Sequence, residues 1–126
     1  MAQKRISVKL EYIFRASPTI IYQFLTTPAC LVRWFCDEVD IVGSHFNFIW
    51  SGEETHAELI EDWEDELLRF VWEDSPTEFL EFSIQRSPIT NETVLYITDF
   101  CDANETKDLQ KLWDTQVERL RNETGG

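Results

Sequence analysis

The feature that most constrains this chain is a run of period-2 apolar patterns that ends in a single period-3.6 pattern. Ile6, Val8, Leu10, Tyr12 and Phe14 alternate with mostly polar residues, and Phe46, Phe48 and Trp50 do the same. So do Leu68, Phe70 and Trp72, then Leu80, Phe82 and Ile84, then Val94, Tyr96, Thr98 and Phe100. A side-chain period of two places each set on one face of an extended strand. Val39-Asp40-Ile41 leads through Gly43 into the second set, and Thr55–Trp63 alternates less cleanly. Turn signals stand at Ser51-Gly52, Glu64-Asp65-Glu66, Asp74-Ser75-Pro76 and from Pro88 to Asn91. A strand every ten residues or about that, broken by such turns, predicts antiparallel hairpins.

Helices occupy two places in this pattern. Ser17-Pro18 reads as an N-cap followed by proline at the first helical position, with Ile20, Ile21, Phe24 and Leu25 as the apolar stripe. Thr27-Pro28 repeats the signal, and Leu31, Trp34 and Phe35 give a second short helix its buried side. At the other end, Asp102 and Glu105 resemble a capping box. Leu109, Leu112, Trp113, Gln116, Val117 and Leu120 then share one helical face, Arg119 and Arg121 lie near the negative end, and Gly125 can terminate the helix. Such a helix spans about 27 Å, enough to cross a sheet. The order is β-α-α-β6-α, an α+β fold in one domain over residues 1–126, with no repeat or linker.

A chain of 126 residues can build a core without staples. Nine Phe, five Trp and three Tyr must fill that core, line a pocket or form a contact patch. The net charge of −13 disfavours nucleic acid and anionic membrane as partners. Between Glu53 and Glu78 eleven acids face one base, Arg69, which makes that segment either a solvated edge or a docking surface for a basic partner. The uncharged run from Ala16 to Val32 contains polar residues and two prolines, so no membrane span is expected. A polar, basic opening (Gln3, Lys4, Arg5) predicts no signal peptide and a cytoplasmic protein. Cys30, Cys36 and Cys101 then read as reduced thiols, and the Asn-Glu-Thr triplets at Asn91, Asn104 and Asn122 as coincidental.

Ala16-Ser17-Pro18, then Phe24-Leu25-Thr26-Thr27-Pro28, then Leu31 and Trp34-Phe35, and finally Leu112-Trp113 in the last helix, resemble the START-like superfamily. Within it they look like the branch related to activators of Hsp90 ATPase, and most like small bacterial START-like proteins without an assigned activity. The resemblance covers roughly residues 5 to 122. It implies a helix-grip fold, a curved antiparallel sheet wrapped around the last helix with a cavity between them. Many members hold a lipid, polyketide, hormone or other apolar molecule there, and a minority are cyclases. The glycine-rich loop of the plant pathogenesis-related members is reduced here to Val42-Gly43-Ser44. So many aromatics in a short chain leave room for a smaller cavity, or none.

The candidate cavity residues are Phe48, Trp50, Phe70, Trp72, Phe82 and Tyr96 from the sheet, with Leu112, Trp113 and Gln116 from the helix. They either pack as solid core or line an apolar pocket in which Tyr96, Thr98 and Gln116 orient a ligand. The alternative is a protein-interaction module that uses Glu61, Asp62, Trp63, Glu64 and Asp65 on the acidic segment. An enzyme ranks last, because the inward phases supply almost no ionisable group. Asp99 falls out of phase with the presumed inner face and reads as a cap. His45 and His56 lie on adjacent strands, but His45 is out of phase with Phe46 and Phe48 and reads as solvent-facing, so no metal is assigned. Asp62, Glu64, Glu66 and Glu73 take carboxylate positions of a calcium-binding loop, yet Leu67 stands where that loop needs glycine. No catalytic residue and no cofactor is expected; the partner is a small apolar ligand or a protein, and a homodimer through an exposed strand face is compatible with the pattern.

Overall fold

The computed structural model describes residues 4–126; Gln3 of the basic opening lies outside them. Seven strands form one antiparallel sheet: β1 (Arg5–Phe14), β2 (Glu38–Val42), β3 (His45–Trp50), β4 (Glu53–Trp63), β5 (Leu67–Trp72), β6 (Ser75–Arg86) and β7 (Thr93–Asp102). Their order is β1-β7-β6-β5-β4-β3-β2, a meander closed by β7 returning to β1. Helices α1 (Pro18–Thr26) and α2 (Pro28–Trp34) follow β1, and α3 (Thr106–Thr124) ends the chain. This is the expected α+β helix-grip order.

Local chemistry sets most boundaries. Ser17 caps α1, its hydroxyl accepting from the Ile20 amide at 3.3 Å. Thr27 starts α2 without a side-chain cap, Pro28 at the first position sufficing. The capping box expected at Asp102 does not form. β7 runs on through Asp102, which takes Arg5 as an ion-pair partner at 3.2 Å, and α3 begins after Glu105. At the far end Gly125 adopts φ 91°, the left-handed conformation of a C-terminal glycine. The uneven alternation in β4 has a cause as well, a register shift between Leu59 and Glu61 opposite β5.

The core lies between the inner sheet face and the helices. Phe46, Phe48, Leu68, Phe70, Leu80, Phe82 and Ile84 project inward as their phases predict. In β7 the phase is the reverse of the expected one. Thr93, Leu95, Ile97 and Cys101 are buried, and Tyr96 and Thr98 take the outer face. The run Val94-Leu95-Tyr96-Ile97 is apolar at every position, so alternation alone does not fix its face. Pairing does: Ile97 sits between Leu10 and Phe82, and Leu95 between Tyr12 and Ile84.

Candidate functional site

Helix α3 is tied to β1 at two points. Tyr12 of β1 donates its hydroxyl to Asp114 at 2.8 Å, and the Arg121 guanidinium donates to the Ile13 carbonyl at 3.1 Å. Burial, and then the Asp114 bond, push the Tyr12 hydroxyl well above the ordinary phenol range. Val117 and Leu120 between these anchors, and Trp113 just before the first, are buried against the sheet. Helix α2 packs on both α3 and β2, and it delivers Phe35 to the gap between helix and sheet.

In that gap lies a half-open cavity of about 300 Å³, lined by Phe35, Trp50, Trp72, Leu80, Asp99, Leu112, Trp113 and Gln116. A smaller cleft of about 120 Å³ adjoins it and shares Phe35, Trp50 and Gln116. Larger hollows along α3 are open surface grooves edged by polar side chains such as Lys107, Gln110 and Lys111. The aromatic walls are fixed by hydrogen bonds. The Trp50 indole donates to the Phe35 carbonyl at 2.6 Å, and Phe35 stacks on Trp113 with centroids 6.1 Å apart.

Of the ten sequence candidates, Trp50, Trp72, Leu112, Trp113 and Gln116 line the cavity. Phe48, Phe70 and Phe82 lie deeper, as solid core in edge-to-face contact with one another. Tyr96 and Thr98 are corrected: both face away from the cavity, and the Lys9 ammonium sits 4.8 Å above the Tyr96 ring. Phe35, Leu80 and Asp99 join the lining. Phe35 and Leu80 were legible as buried residues, but nothing in one strand's pattern showed how they meet.

Asp99 overturns the expectation that it faces away from the inner side of the sheet, and it is the one ionisable side chain of the cavity lining. It is no cap. Its Oδ2 accepts from the Trp113 indole at 3.0 Å and its Oδ1 from the Phe100 amide at 2.8 Å. Burial raises the carboxyl above the ordinary aspartate range, and these two bonds oppose the rise. Gln116 Oε1 is buried and has no partner among the described residues. Asp99 and Gln116 therefore place two polar side chains in the lining of an otherwise apolar hollow. Cys36, at the smaller cleft, is pushed up to about 11 by burial, which leaves it a thiol rather than a nucleophilic thiolate.

The acidic segment is partly committed to the fold. Asp62 accepts from the Tyr22 hydroxyl and Asp65 from Thr19 at 2.8 Å, so both hold α1 to the end of the sheet. Trp63 is 57% exposed, with its indole N–H on Glu61 at 3.0 Å. On the outer face, the His45 and His56 rings stand side by side with Nε2 and Nδ1 2.9 Å apart.

A family model for the START-like superfamily domain matches residues 1–126. The chain belongs to the START-like superfamily. A Bacteroides fragilis protein solved by solution NMR is 34% identical, with a TM-score of 0.69 over 95% of this chain and 91% of that one. The Aha1 dimer from Colwellia psychrerythraea is 20% identical, with a TM-score of 0.78 over 94% and 96% of the two chains. An AHSA1-like protein from Aeromonas hydrophila is 15% identical, with a TM-score of 0.73 over 93% and 90%. No curated protein matches. Among the described residues no helix is long and apolar enough to cross a membrane.

Proposed function

We propose that this START-like domain is a binding module that takes a small apolar molecule with a hydrogen-bond donor at one end. The observation that carries this reading is the pairing of apolar walls with acceptors in one cavity. Trp50, Trp72, Leu80, Leu112 and Trp113 offer the walls, and Asp99 and Gln116 offer the acceptors. A volume of about 300 Å³ sits at the lower end of the usual range for ligand sites. It suits a small ring system or the end of a chain, with burial as the driving force and the two acceptors fixing orientation. Asp99 is the single ionisable side chain of the lining, without a second acid, base or nucleophile to pair with it. Its role in this reading is to orient a hydroxyl or amine.

Native mass spectrometry on gently purified protein tests this reading. Extra mass that leaves on denaturation is expected, together with its loss in Leu112→Glu, which sets a charge at the cavity mouth where Leu112 is 53% exposed. A bare mass, combined with unshifted Trp50, Trp72 and Trp113 indole resonances across a panel of small apolar alcohols and amines, would sink it.

A second reading rests on a different observation. Trp63 and Ile60 are exposed on the acidic edge, 57% and 53%, beside Glu61 and Glu64. An exposed tryptophan ringed by acids suits a basic protein partner, in the manner of a co-chaperone.

A further inference from the structure

The outer face of the sheet carries a second constellation, independent of the cavity. His45 on β3 lies opposite Glu58 on β4, and Asn47 lies opposite His56, so the two histidines are diagonal neighbours on one face. Glu73 follows β5, and its amide donates to the His56 carbonyl at 3.0 Å, which sets its side chain beside the same pair. One donor atom from each of His45, His56 and Glu73 can be chosen so that all three lie within 4.8 Å of one another. Both histidines are half-buried, and three hydrogen-bonded strands hold the backbones that carry the set.

We propose that His45, His56 and Glu73 form a binding site for a divalent transition-metal ion of the zinc class. Two imidazoles and a carboxylate are a donor set suited to Zn²⁺, Co²⁺, Ni²⁺ or Cu²⁺, whereas Ca²⁺ and Mg²⁺ favour all-oxygen shells. The ring nitrogens lie 2.9 Å apart, within hydrogen-bond distance of each other. A tetrahedral ion bound at about 2.0–2.1 Å to each nitrogen would need them roughly 3.3 Å apart. That is a few tenths of an ångström of side-chain motion, with the ion taking the place of the direct contact between the rings. The other nitrogen of His45 already faces a carboxylate, with Nδ1 3.6 Å from Glu58 Oε1, and Ser44 donates its hydroxyl to the second oxygen of Glu58. This outer carboxylate would fix the ring and its tautomer, as outer-shell acids do at zinc sites. Three protein ligands leave a fourth position for water or a donor from outside. It would open toward a surface hollow of about 260 Å³ that His45, Glu58, Glu73 and Pro76 border. The eleven acids between Glu53 and Glu78 add a local field that concentrates cations.

The test uses tag-free protein stripped of metal, titrated with Zn²⁺ by calorimetry and with Co²⁺ by visible absorption. One equivalent is expected to bind, with the ligand-field bands of tetrahedral Co²⁺. The chain has two histidines, so imidazole NMR reports directly on both ligands, and both sets of signals should move together at one equivalent. His56→Gln and Glu73→Gln should each weaken Zn²⁺ binding by about tenfold or more, while Glu54→Gln, whose carboxylate accepts from Asn47 at 3.0 Å, leaves it unchanged. Imidazole signals that stay still under excess Zn²⁺ would overturn the proposal, whatever the variants do. So would binding that His56→Gln and Glu73→Gln leave intact.

Discussion

The side chain that most alters the reading of this molecule is Asp99, and its behaviour with pH follows from its surroundings. Burial favours its neutral form, so the folded-state pKa lies above the ordinary aspartate value of about 3.9. Between those two values the folded chain binds more protons than the unfolded one, and stability from this group falls as pH rises. The cost is fully present above the folded pKa and gone below the unfolded value. Comparing urea melts of the native chain and Asp99→Asn, the difference should therefore move in favour of the native chain as pH falls from neutrality through this window. A difference that stays constant, or moves the other way, would show that the Trp113 and Phe100 bonds dominate burial. Asp99 was hard to find in the sequence for a physical reason. Its face depends on β7, where four successive apolar residues leave the phase open, and only the Ile97 and Leu95 pairings close it. His45 and His56 show the complementary limit. The outward phase of His45 was legible, but its diagonal proximity to His56 depends on register between β3 and β4, which one strand's pattern does not contain.

At the scale of elements, α3 joins fold and site, and adjacent residues on it have opposite jobs. Trp113 is 4% exposed, stacked on Phe35 and bonded to Asp99. Leu112, one residue earlier, is largely in solvent at the cavity mouth. Trp113→Ala should cost about 3–5 kcal/mol in chemical denaturation, through lost burial and the cavity it leaves. Leu112→Ala should stay within about 0.5 kcal/mol, as exposed positions do. Equal losses would mean that α3 closes down over the cavity and buries both. The helix was legible because its apolar spacing is unambiguous and Gly125 marks its end. Its start was not, because Asp102 serves equally as a cap or as the last residue of a strand, and the ion pair with Arg5 decides for the strand.

For the whole molecule, charge has to be weighed against the ion pairs the fold makes. Arg5 bridges Glu78 and Asp102, and Arg69 holds Glu81, but these pairs are substantially exposed on the arginine side and each contributes at most about 1 kcal/mol. Against them stand 24 acids and 11 bases, with the excess concentrated on β4 to β6. Repulsion within the folded chain should win, and salt should relieve it. Raising a monovalent salt from about 0.01 M to about 0.15 M shortens the screening length from about 30 Å to about 8 Å. Tm in metal-free buffer should rise over that range, and a fall would mean that the arginine pairs outweigh the surplus acids. The same change acts in the opposite direction on capture of a basic partner at Trp63, Glu61 and Glu64, where attraction between the two surfaces is screened. Folding that strengthens with salt while partner binding weakens would locate the acidic surplus at a contact surface. Folding that strengthens with no salt-sensitive partner would leave the surplus as a solvated edge, and the cavity under α3 as the part of the molecule that binds.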